Sequence, residues 1–241
     1  MSILPNLSDT GVILIVSAGL LFSIGRKKLT VPAALTGAIL AWLIYAGAGY
    51  TGLAMLTVFF ILGTAATSWK KEAKRPFKVD EGPHSTRHTG QVIANAGMAA
   101  LVGSVMILAP GHQLFLMIMM ASAMSAATAD TLSSELGMVY GRRFYNIVTG
   151  KPDKKGLDGV ISVEGTLIGL LGSGLIAGIY AVGYHDYSLS SFLIIVVAGT
   201  LGNLTDSLLG ATLERHRLLS NDAVNFLNTL TAALIAGALA V

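Results

Sequence analysis

Residues 112–136 read HQLFLMIMMASAMSAATADTLSSEL, and this stretch decides the fold. No charged residue lies between His112 and Asp130, so the run approaches the roughly 20 apolar residues that a helix needs to cross a bilayer. Asp130 and Glu135 follow before the run ends. An ionisable residue inside a membrane-spanning helix is unfavourable and by default marks function. The stretch therefore predicts a transmembrane helix that carries chemistry near one end.

The composition of the whole chain is typical of a membrane protein. Of 241 residues, 53% are hydrophobic and 12% charged, and the mean hydropathy is +0.69. A soluble domain carries about 25% charged residues. The chain has no Cys, which excludes disulfides, thiolate nucleophiles and Cys-based metal sites. The net charge of +3 does not indicate nucleic-acid binding, because the basic residues lie in short loops between apolar runs. We predict an all-α, polytopic bundle of transmembrane helices.

Eight apolar runs are candidates for membrane spans. They are residues 8–24, 32–47, 50–67, 91–109, 112–136, 162–183, 189–213 and 222–241. A transmembrane helix usually has about 17–25 residues, and the first two runs are short on that scale. We therefore expect about eight spans, or seven if the first two runs do not both cross the bilayer.

All 16 Lys and Arg residues lie in alternate loops between these runs. The basic loops follow the first, third, fifth and seventh runs, whereas the intervening turns and both termini contain no Lys or Arg. Short loops rich in Lys and Arg stay in the cytoplasm. We expect an N-out, C-out topology in a bacterial cytoplasmic membrane, with the basic loops in the cytoplasm.

Ionisable residues divide the chain into parts. The three runs before residue 68 have none in their interiors, whereas the later runs have several. We predict an apolar front unit of about three spans at 1–67, a basic cytoplasmic loop at 68–90 and a functional unit of about five spans at 91–241.

Polar residues of the functional unit should converge at its cytoplasmic side, because five of its helix ends are polar there. Asp130 and Asp206 lie deepest in their runs. Two adjacent carboxylates repel each other unless a cation lies between them. Oxygen ligands without Cys favour Mg²⁺. We predict that Asp130, Asp206 and Glu135 bind Mg²⁺ and are the catalytic residues.

The helix ends also supply the predicted phosphate contacts. Helix N-termini attract anions through free N–H groups and the helix dipole. The candidate substrate- and phosphate-binding residues are Arg87, Gln91, Asn95, Ser134, Gly165, Thr166, Asn203, Ser207, Asp222 and Asn225.

Simpler roles stay open for several of these side chains. Asn95, Asn225 and Asn228 would serve equally well as hydrogen-bonding residues between helices. Glu135 and Asp222 lie near the interface, where a solvated helix cap is the alternative. Two G-xxx-G pairs would let helices approach closely, either within the chain or in a homo-oligomer. These pairs are Gly165 with Gly169 and Gly174 with Gly178.

Five segments, taken in order, resemble the motifs of one family. They are RHTGQVIANAG at 87–97, ADTLSSELG at 129–137, GVISVEGT at 159–166, GNLTDSLLGA at 202–211 and NDAVN at 221–225. The combination resembles the integral-membrane "domain of unknown function 92" family, which includes plant phytyl-phosphate kinase. The family is more distantly similar to polyprenol kinases and CDP-diacylglycerol synthases, whose acidic membrane sites bind Mg²⁺ and CTP.

The resemblance implies a kinase that uses a nucleoside triphosphate, with CTP the expected donor, to convert an isoprenoid monophosphate to its diphosphate. Its partners would be the bilayer, the nucleotide and the isoprenoid monophosphate. The chain has no G-xxxx-GK[ST] loop and no HRD or DFG kinase motif, so the machinery of soluble kinases is absent. Two alternatives stay open: a CDP-lipid-forming nucleotidyltransferase, and a transporter that uses the same polar intramembrane site.

Overall fold

The computed structural model describes residues 9–77 and 86–240. Its helices there are α1 Thr10–Gly25, α2 Val31–Ser68, α3 Lys71–Lys74, α4 Thr89–Leu108, α5 Gln113–Tyr140, α6 Val163–Tyr184, α7 Leu189–Leu209 and α8 Asn221–Leu239. A π-helical turn, Gly210–Glu214, continues α7, and the two-residue strands β1 Tyr145–Asn146 and β2 Val160–Ile161 pair antiparallel. Among the described residues, six helices are long and apolar enough to cross a membrane, and α1 is a shorter apolar helix. The predicted all-α membrane bundle is confirmed.

Helix α2 consists of two antiparallel arms joined at Gly49. Gly49 has φ 65° and ψ −157°, a conformation that glycine adopts far more easily than other residues. A straight helix of 38 residues would be about 57 Å long. Yet Lys28, just before α2, donates from Nζ to Oγ of Ser68, the last residue of α2, at 2.8 Å. The chain therefore reverses at Gly49, and the arms 31–48 and 50–68 are the predicted second and third spans. With these arms counted separately, the described residues form eight apolar segments, in agreement with the prediction.

The loops that carry the Lys and Arg residues meet at one end of the bundle, which we call the basic face. Side chains link neighbouring loops there: Lys28 with Ser68, Lys155 Nζ 4.3 Å from the centre of the Phe77 ring, and Arg215 Nη2 with the carbonyl of Asp158 at 2.6 Å. Of the predicted basic loop 68–90, residues 78–85 lie outside the described residues.

The turns without Lys or Arg lie at the opposite end. The hydroxyl of Tyr184, the last residue of α6, donates to the carbonyl of Ala48 in the α2 turn at 2.8 Å. The hydroxyl of Tyr180 reaches Asp186 Oδ2 at 3.1 Å. The alternation of basic and uncharged loops along the sequence thus becomes a separation between two ends of the bundle.

Helix α5 lies at the centre of the bundle and packs against α2, α4, α6, α7 and α8. Every residue from Met120 to Ala129 is buried. This segment is mostly Ala, Ser and Met, and small side chains let helix backbones approach closely in a membrane. The stretch that predicted the fold is therefore its most enclosed helix.

The two G-xxx-G pairs of α6 have different surroundings. A Cβ atom at Gly165 would lie 2.9 Å from the carbonyl oxygen of Ser133 on α5, and one at Gly169 would lie 2.8 Å from Nδ2 of Asn203. At Gly174 and Gly178, no atom lies within 4 Å of the position that a Cβ would take. The first pair thus seats α6 against α5 and α7, and the second faces the surroundings of the bundle.

Candidate functional site

Asp130 of α5 and Asp206 of α7 face each other, with carboxyl groups close enough to hydrogen-bond. Glycines bring the two helices together one and two turns away from Asp206. A Cβ at Gly202 would lie 2.8 Å from Cβ of Ala126, and one at Gly199 would collide with the Ser125 side chain. The predicted pair of aspartates is thus assembled by close packing of α7 on α5.

The aspartate pair has unsatisfied polar atoms. Asp206 Oδ2 is buried and meets no donor at good hydrogen-bond geometry among the described residues, although the Asp130 carboxyl and the Asn228 amide lie beside the Asp206 carboxyl. Asn228 of α8 is fully buried and close enough to Asp206 to hydrogen-bond with it, although neither its amide nitrogen nor its amide oxygen meets a partner at good hydrogen-bond geometry among the described residues. Buried polar atoms without partners destabilise a fold by about 1–3 kcal/mol each, so native proteins rarely keep them without a reason.

Oxygen atoms of this kind fit a hard cation. The Asp130 and Asp206 carboxylates are ligands that Mg²⁺ accepts, and Mg²⁺ commonly uses one or two carboxylates together with substrate phosphates. Within residues 9–77 and 86–240, no group of three or more His, Asp or Glu side chains is arranged to hold a metal. The predicted three-carboxylate set is therefore not formed.

Glu135 is the member of that set that the structure places elsewhere. Its Oε2 lies 2.5 Å from Nζ of Lys74, and the two side chains are 10% and 2% exposed. Five residues separate Asp130 from Glu135, which is a rotation of about 140° around a helix with 3.6 residues per turn. The two carboxylates therefore leave α5 in different directions, and the structure pairs Glu135 with Lys74, although Glu135 is still near enough to act on Asp130 through its charge. Glu135 as a metal ligand stays a prediction.

Glu214 is an acidic residue that the sequence analysis missed. It ends the π-helical turn after α7 and is near enough to act through its charge on both Asp130 and Asp206. Glu214 follows Asp206 by about two helical turns, and this spacing could have suggested that both side chains lie on the same side of α7. Isolated π-helical turns are frequent at functional sites.

Asn203 and Ser207 of α7 contact the backbone and side chains around the pair. Asn203 is buried, and its Oδ1 accepts a hydrogen bond from Ser133 Oγ of α5 at 3.1 Å. Ser207 Oγ donates to the carbonyl of Asn203 at 3.3 Å. Asn203 therefore ties α7 to α5 one turn from the aspartates.

Asp222 and Asn225 begin α8 beside the start of α4. Asp222 Oδ2 lies 3.7 Å from Nδ1 of His88, and a Cβ at Gly90 would collide with it. Asn225 Nδ2 donates to the carbonyl of Asn221 at 2.9 Å. Glycine at position 90 thus allows the acidic end of α8 to pack on α4.

Gly165, Thr166 and Ser134 lie away from this arrangement. The side chain of Ser162 accepts the Gly165 N–H at 3.1 Å, and Thr166 Oγ1 donates to the Ser162 carbonyl at 3.0 Å. Ser134 is exposed, and its hydroxyl donates to Thr131 within α5. The first turn of α6 is thus capped by its own chain, so we leave these three residues out of the proposed phosphate site.

Arg87, Gln91 and Asn95 form a stripe along one wall of a groove between α1, the two arms of α2 and the start of α4. We call it the α1–α4 groove; its volume is about 910 Å³ with the open mouth counted. Asn95 Nδ2 donates to the Gln91 carbonyl at 2.9 Å, and Gln91 Oε1 accepts the His88 N–H at 3.2 Å. The two amides are thus partly engaged within α4, and Arg87 brings a full positive charge.

The guanidinium of Arg87 reaches from the groove to the surface of α5 next to Asp130. Arg87 Nη2 donates to Thr67 Oγ1 at 3.1 Å. Arg87 Nη2 and the methyl carbon of Thr131 lie 3.5 and 3.3 Å from the position that a Cβ would take at Gly63. Thr131 directly follows Asp130, so the cationic group and the carboxylates border the same part of α5.

A further ion pair holds the loop after α5 at the basic face. Arg215 Nη1 lies 2.9 Å from Asp153 Oδ2, and the hydrogen bond from this guanidinium lowers the pKa of Asp153 below its ordinary value. Arg215 also donates to the carbonyl of Asp158. The contacts fix the 141–162 loop over the end of α7.

Comparisons with known proteins agree with the membrane fold. A family model described as "Integral membrane protein DUF92" matches residues 14–233. An uncharacterized membrane protein of Methanocaldococcus jannaschii is 36% identical over 191 residues, which cover 78% of this chain and 75% of the relative. One from Synechocystis is 31% identical over 219 residues, which cover 90% and 84%. The chloroplastic protein VTE6 of Arabidopsis thaliana is 27% identical over 246 residues, which cover 98% and 74%. No solved structure matches the chain.

Proposed function

Because the chain belongs to the integral membrane protein DUF92 family, we propose that it is a membrane-embedded, Mg²⁺-dependent lipid-phosphate kinase. It transfers a phosphoryl group from a nucleoside triphosphate, with CTP as the expected donor, to an isoprenoid monophosphate and releases the diphosphate. The resemblance of five sequence motifs to a family that includes plant phytyl-phosphate kinase supports this choice of reaction.

One observation carries the proposal: two buried carboxyl groups from separate helices face each other, and Asp206 Oδ2 meets no donor at good hydrogen-bond geometry among the described residues. A purely structural pair would repel unless protonated, and its surroundings would be expected to satisfy Asp206 Oδ2. A cation and a phosphate would complete both requirements. Asp130 and Asp206 are the residues that would hold Mg²⁺, and the buried Asn228 amide lies beside them.

Bound Mg²⁺ would neutralise charge on the phosphate oxygens during transfer. The protein's own groups then position the reactants. Arg87 neutralises the monophosphate of the lipid, and Asn203 and Ser133 hold α5 and α7 in register around the aspartates. The enclosed setting between packed helices limits the access of water, which would otherwise compete for the phosphoryl group.

The acceptor explains why the site needs no dedicated base. In the reaction, an oxygen of the lipid monophosphate forms a bond to the terminal phosphorus of the nucleotide, the bridging P–O bond breaks, and the nucleoside diphosphate leaves. The second pKa of a phosphate monoester is about 6, so the attacking oxygen is already largely deprotonated at neutral pH. Catalysis then rests on positioning and on neutralising charge.

The basic face is the side from which the nucleotide enters in this proposal. Loops rich in Lys and Arg are retained in the cytoplasm, where nucleoside triphosphates are available. The aspartate pair lies in the half of the bundle near these loops. Membrane and cytoplasm therefore deliver the two substrates to one site.

The test is an assay of purified protein with CTP or ATP and phytyl, geranylgeranyl or farnesyl phosphate, followed by identification of both products. Asp130→Asn and Asp206→Asn should each reduce turnover by about a hundredfold or more, by analogy with the loss of other charge-stabilising groups in active sites. Asp186→Asn is the matched control, because Asp186 lies at the opposite end of the bundle. It should retain activity, and thermal unfolding of all three variants checks their folding.

Distinct results would overturn the proposal. Full activity of both site variants would remove the metal assignment. Release of pyrophosphate with a CDP-lipid product would identify a nucleotidyltransferase. Flux of a lipid phosphate across proteoliposome membranes without nucleotide, combined with no phosphoryl transfer, would identify a transporter.

A further inference from the structure

We infer that the α1–α4 groove binds the phosphate-proximal part of a single isoprenoid chain, with the phosphate of that lipid at Arg87. The inference rests on the proposed function for the identity of the lipid, and it adds the location of the hydrocarbon chain. The occupant is a lipid with one chain and a monophosphate head group.

The shape of the groove suits a hydrocarbon chain. Most of its lining is apolar, including Ile15 and Leu20 of α1 and Phe59 and Phe60 of the second α2 arm. Lining residues run from Ile15 to Ser23 along α1, a rise of about 12 Å. This is less than half of a hydrocarbon core about 30 Å thick. The groove therefore holds the first part of a chain, and the remainder extends into the bilayer.

Charge defines the head-group end. Arg87 is the one Lys or Arg side chain among the described residues that line the groove, and it lies just before α4 at the basic face. The charge of a guanidinium is complementary to that of a monophosphate. A lipid aligned in this way has its phosphate at the membrane boundary and its chain directed inward.

The position of the head group also fits the reaction. The Arg87 guanidinium and the Thr131 methyl group border the same point beside Gly63. A phosphate held there lies next to the segment of α5 that carries Asp130. The groove thus leads the acceptor toward the aspartate pair without requiring the hydrocarbon chain to enter the polar site.

Gly19 provides a substitution that fills the groove without disturbing the protein. It lines the groove, and no atom lies within 4 Å of the position of a Cβ at this residue. Gly19→Leu therefore places a side chain in the space assigned to the lipid. Gly174→Leu on α6 is the matched control, because Gly174 also has nothing within 4 Å but does not line the groove.

The first experiment measures binding without nucleotide or Mg²⁺. The probe is a geranylgeranyl monophosphate analogue with a photoreactive diazirine in its first isoprene unit, and mass spectrometry maps the crosslinked peptides. We expect labels on α1 and the second α2 arm. Gly19→Leu should reduce labelling at least tenfold, and Gly174→Leu should leave it unchanged. Arg87→Gln should weaken binding of the phosphate analogue by about tenfold or more, but not that of the corresponding alcohol.

Competition and activity assays separate the possible failures. Equal labelling in Gly19→Leu and wild type, or equal competition by phosphatidylglycerol, would overturn the groove assignment. If wild type transfers phosphate and Gly19→Leu leaves the KM for the lipid unchanged, the lipid site in the groove is refuted and the kinase activity is retained. If the probe binds as expected but no nucleotide supports transfer, the proposed kinase activity is refuted and the lipid site is retained.

Discussion

Lys74→Met should lower the free energy of unfolding by about 3–5 kcal/mol, because it removes the buried cation that pairs with the Glu135 carboxylate. Lys74 Nζ lies 2.5 Å from Glu135 Oε2, and neither side chain is more than 10% exposed. Nζ also donates to the carbonyls of Ala66 and Thr67 at 2.7 and 3.1 Å. These carbonyls lie in the last turn of α2, where the helix has no further backbone N–H groups to donate to its last carbonyls. The substitution therefore removes an ion pair and a helix cap together.

A matched set of variants isolates the buried pair. Lys71→Met removes an exposed Lys from the same short helix and should change the unfolding free energy by less than about 0.5 kcal/mol. The double variant Lys74→Met/Glu135→Leu removes both charges and should recover most of the lost stability, because apolar replacement of a buried ion pair is often neutral. Reversible unfolding in mixed detergent micelles measures each difference.

Two outcomes would contradict this reasoning. If Lys74→Met is no more destabilised than Lys71→Met, the ion pair is not buried as the structure shows. If the double variant is as stable as wild type but transfers no phosphate, Lys74 or Glu135 acts in the chemistry, and a purely structural role for the pair would be wrong.

Two further predictions concern packing and pH. Gly165→Ala should lower stability by about 1–3 kcal/mol because its Cβ would lie 2.9 Å from a backbone oxygen, whereas Gly174→Ala should be neutral or stabilising by less than about 1 kcal/mol; equal unfolding temperatures in detergent would refute the contact. The pKa of Asp153 is lower in the folded protein than in the unfolded chain, where it is about 3.9. The bond between Asp153 and Arg215 therefore stabilises the 141–162 loop fully above about pH 3.9, and this stabilisation is lost as the pH falls through the lower folded pKa. Hydrogen exchange of this loop, corrected for intrinsic rates, should therefore accelerate in acid in wild type but show no such step in Asp153→Asn, and identical pH profiles would contradict the assignment.

Hydropathy and loop charge were sufficient to predict the fold. Each apolar run is long enough to form its own helix, and a bilayer leaves the backbone few other ways to satisfy its hydrogen bonds. Even the short second run was identified correctly, because its glycine-rich end at 47–49 becomes the turn of α2. The predicted division into front and functional units stays a prediction. In the structure, residues of α2 belong to the same hydrophobic core as the later helices.

The site was predictable where helix geometry alone decides position. Asp130 and Asp206 end two parallel spans at the same depth, so their meeting follows from topology. Glu135 was grouped with the aspartates because of its depth, and its pairing with Lys74 was missed because the prediction did not consider its direction around α5. Lys74 looked like one of many loop cations, and its burial depends on a loop conformation that forms only when α2 and α5 pack together. Such contacts between distant segments leave no local signature.

The central position of α5 has a consequence for biogenesis. Among the six long spans, α5 and α8 have the lowest hydropathy, and these two contribute Asp130 and Asn228 to the site. A helix that is rich in alanine and serine and contains an acidic residue moves less favourably from the translocon into lipid than a leucine-rich helix does. Stable integration of α5 should therefore depend on the more apolar α4 and α6 arriving beside it, so that the helix that carries the chemistry is retained in the membrane by its neighbours.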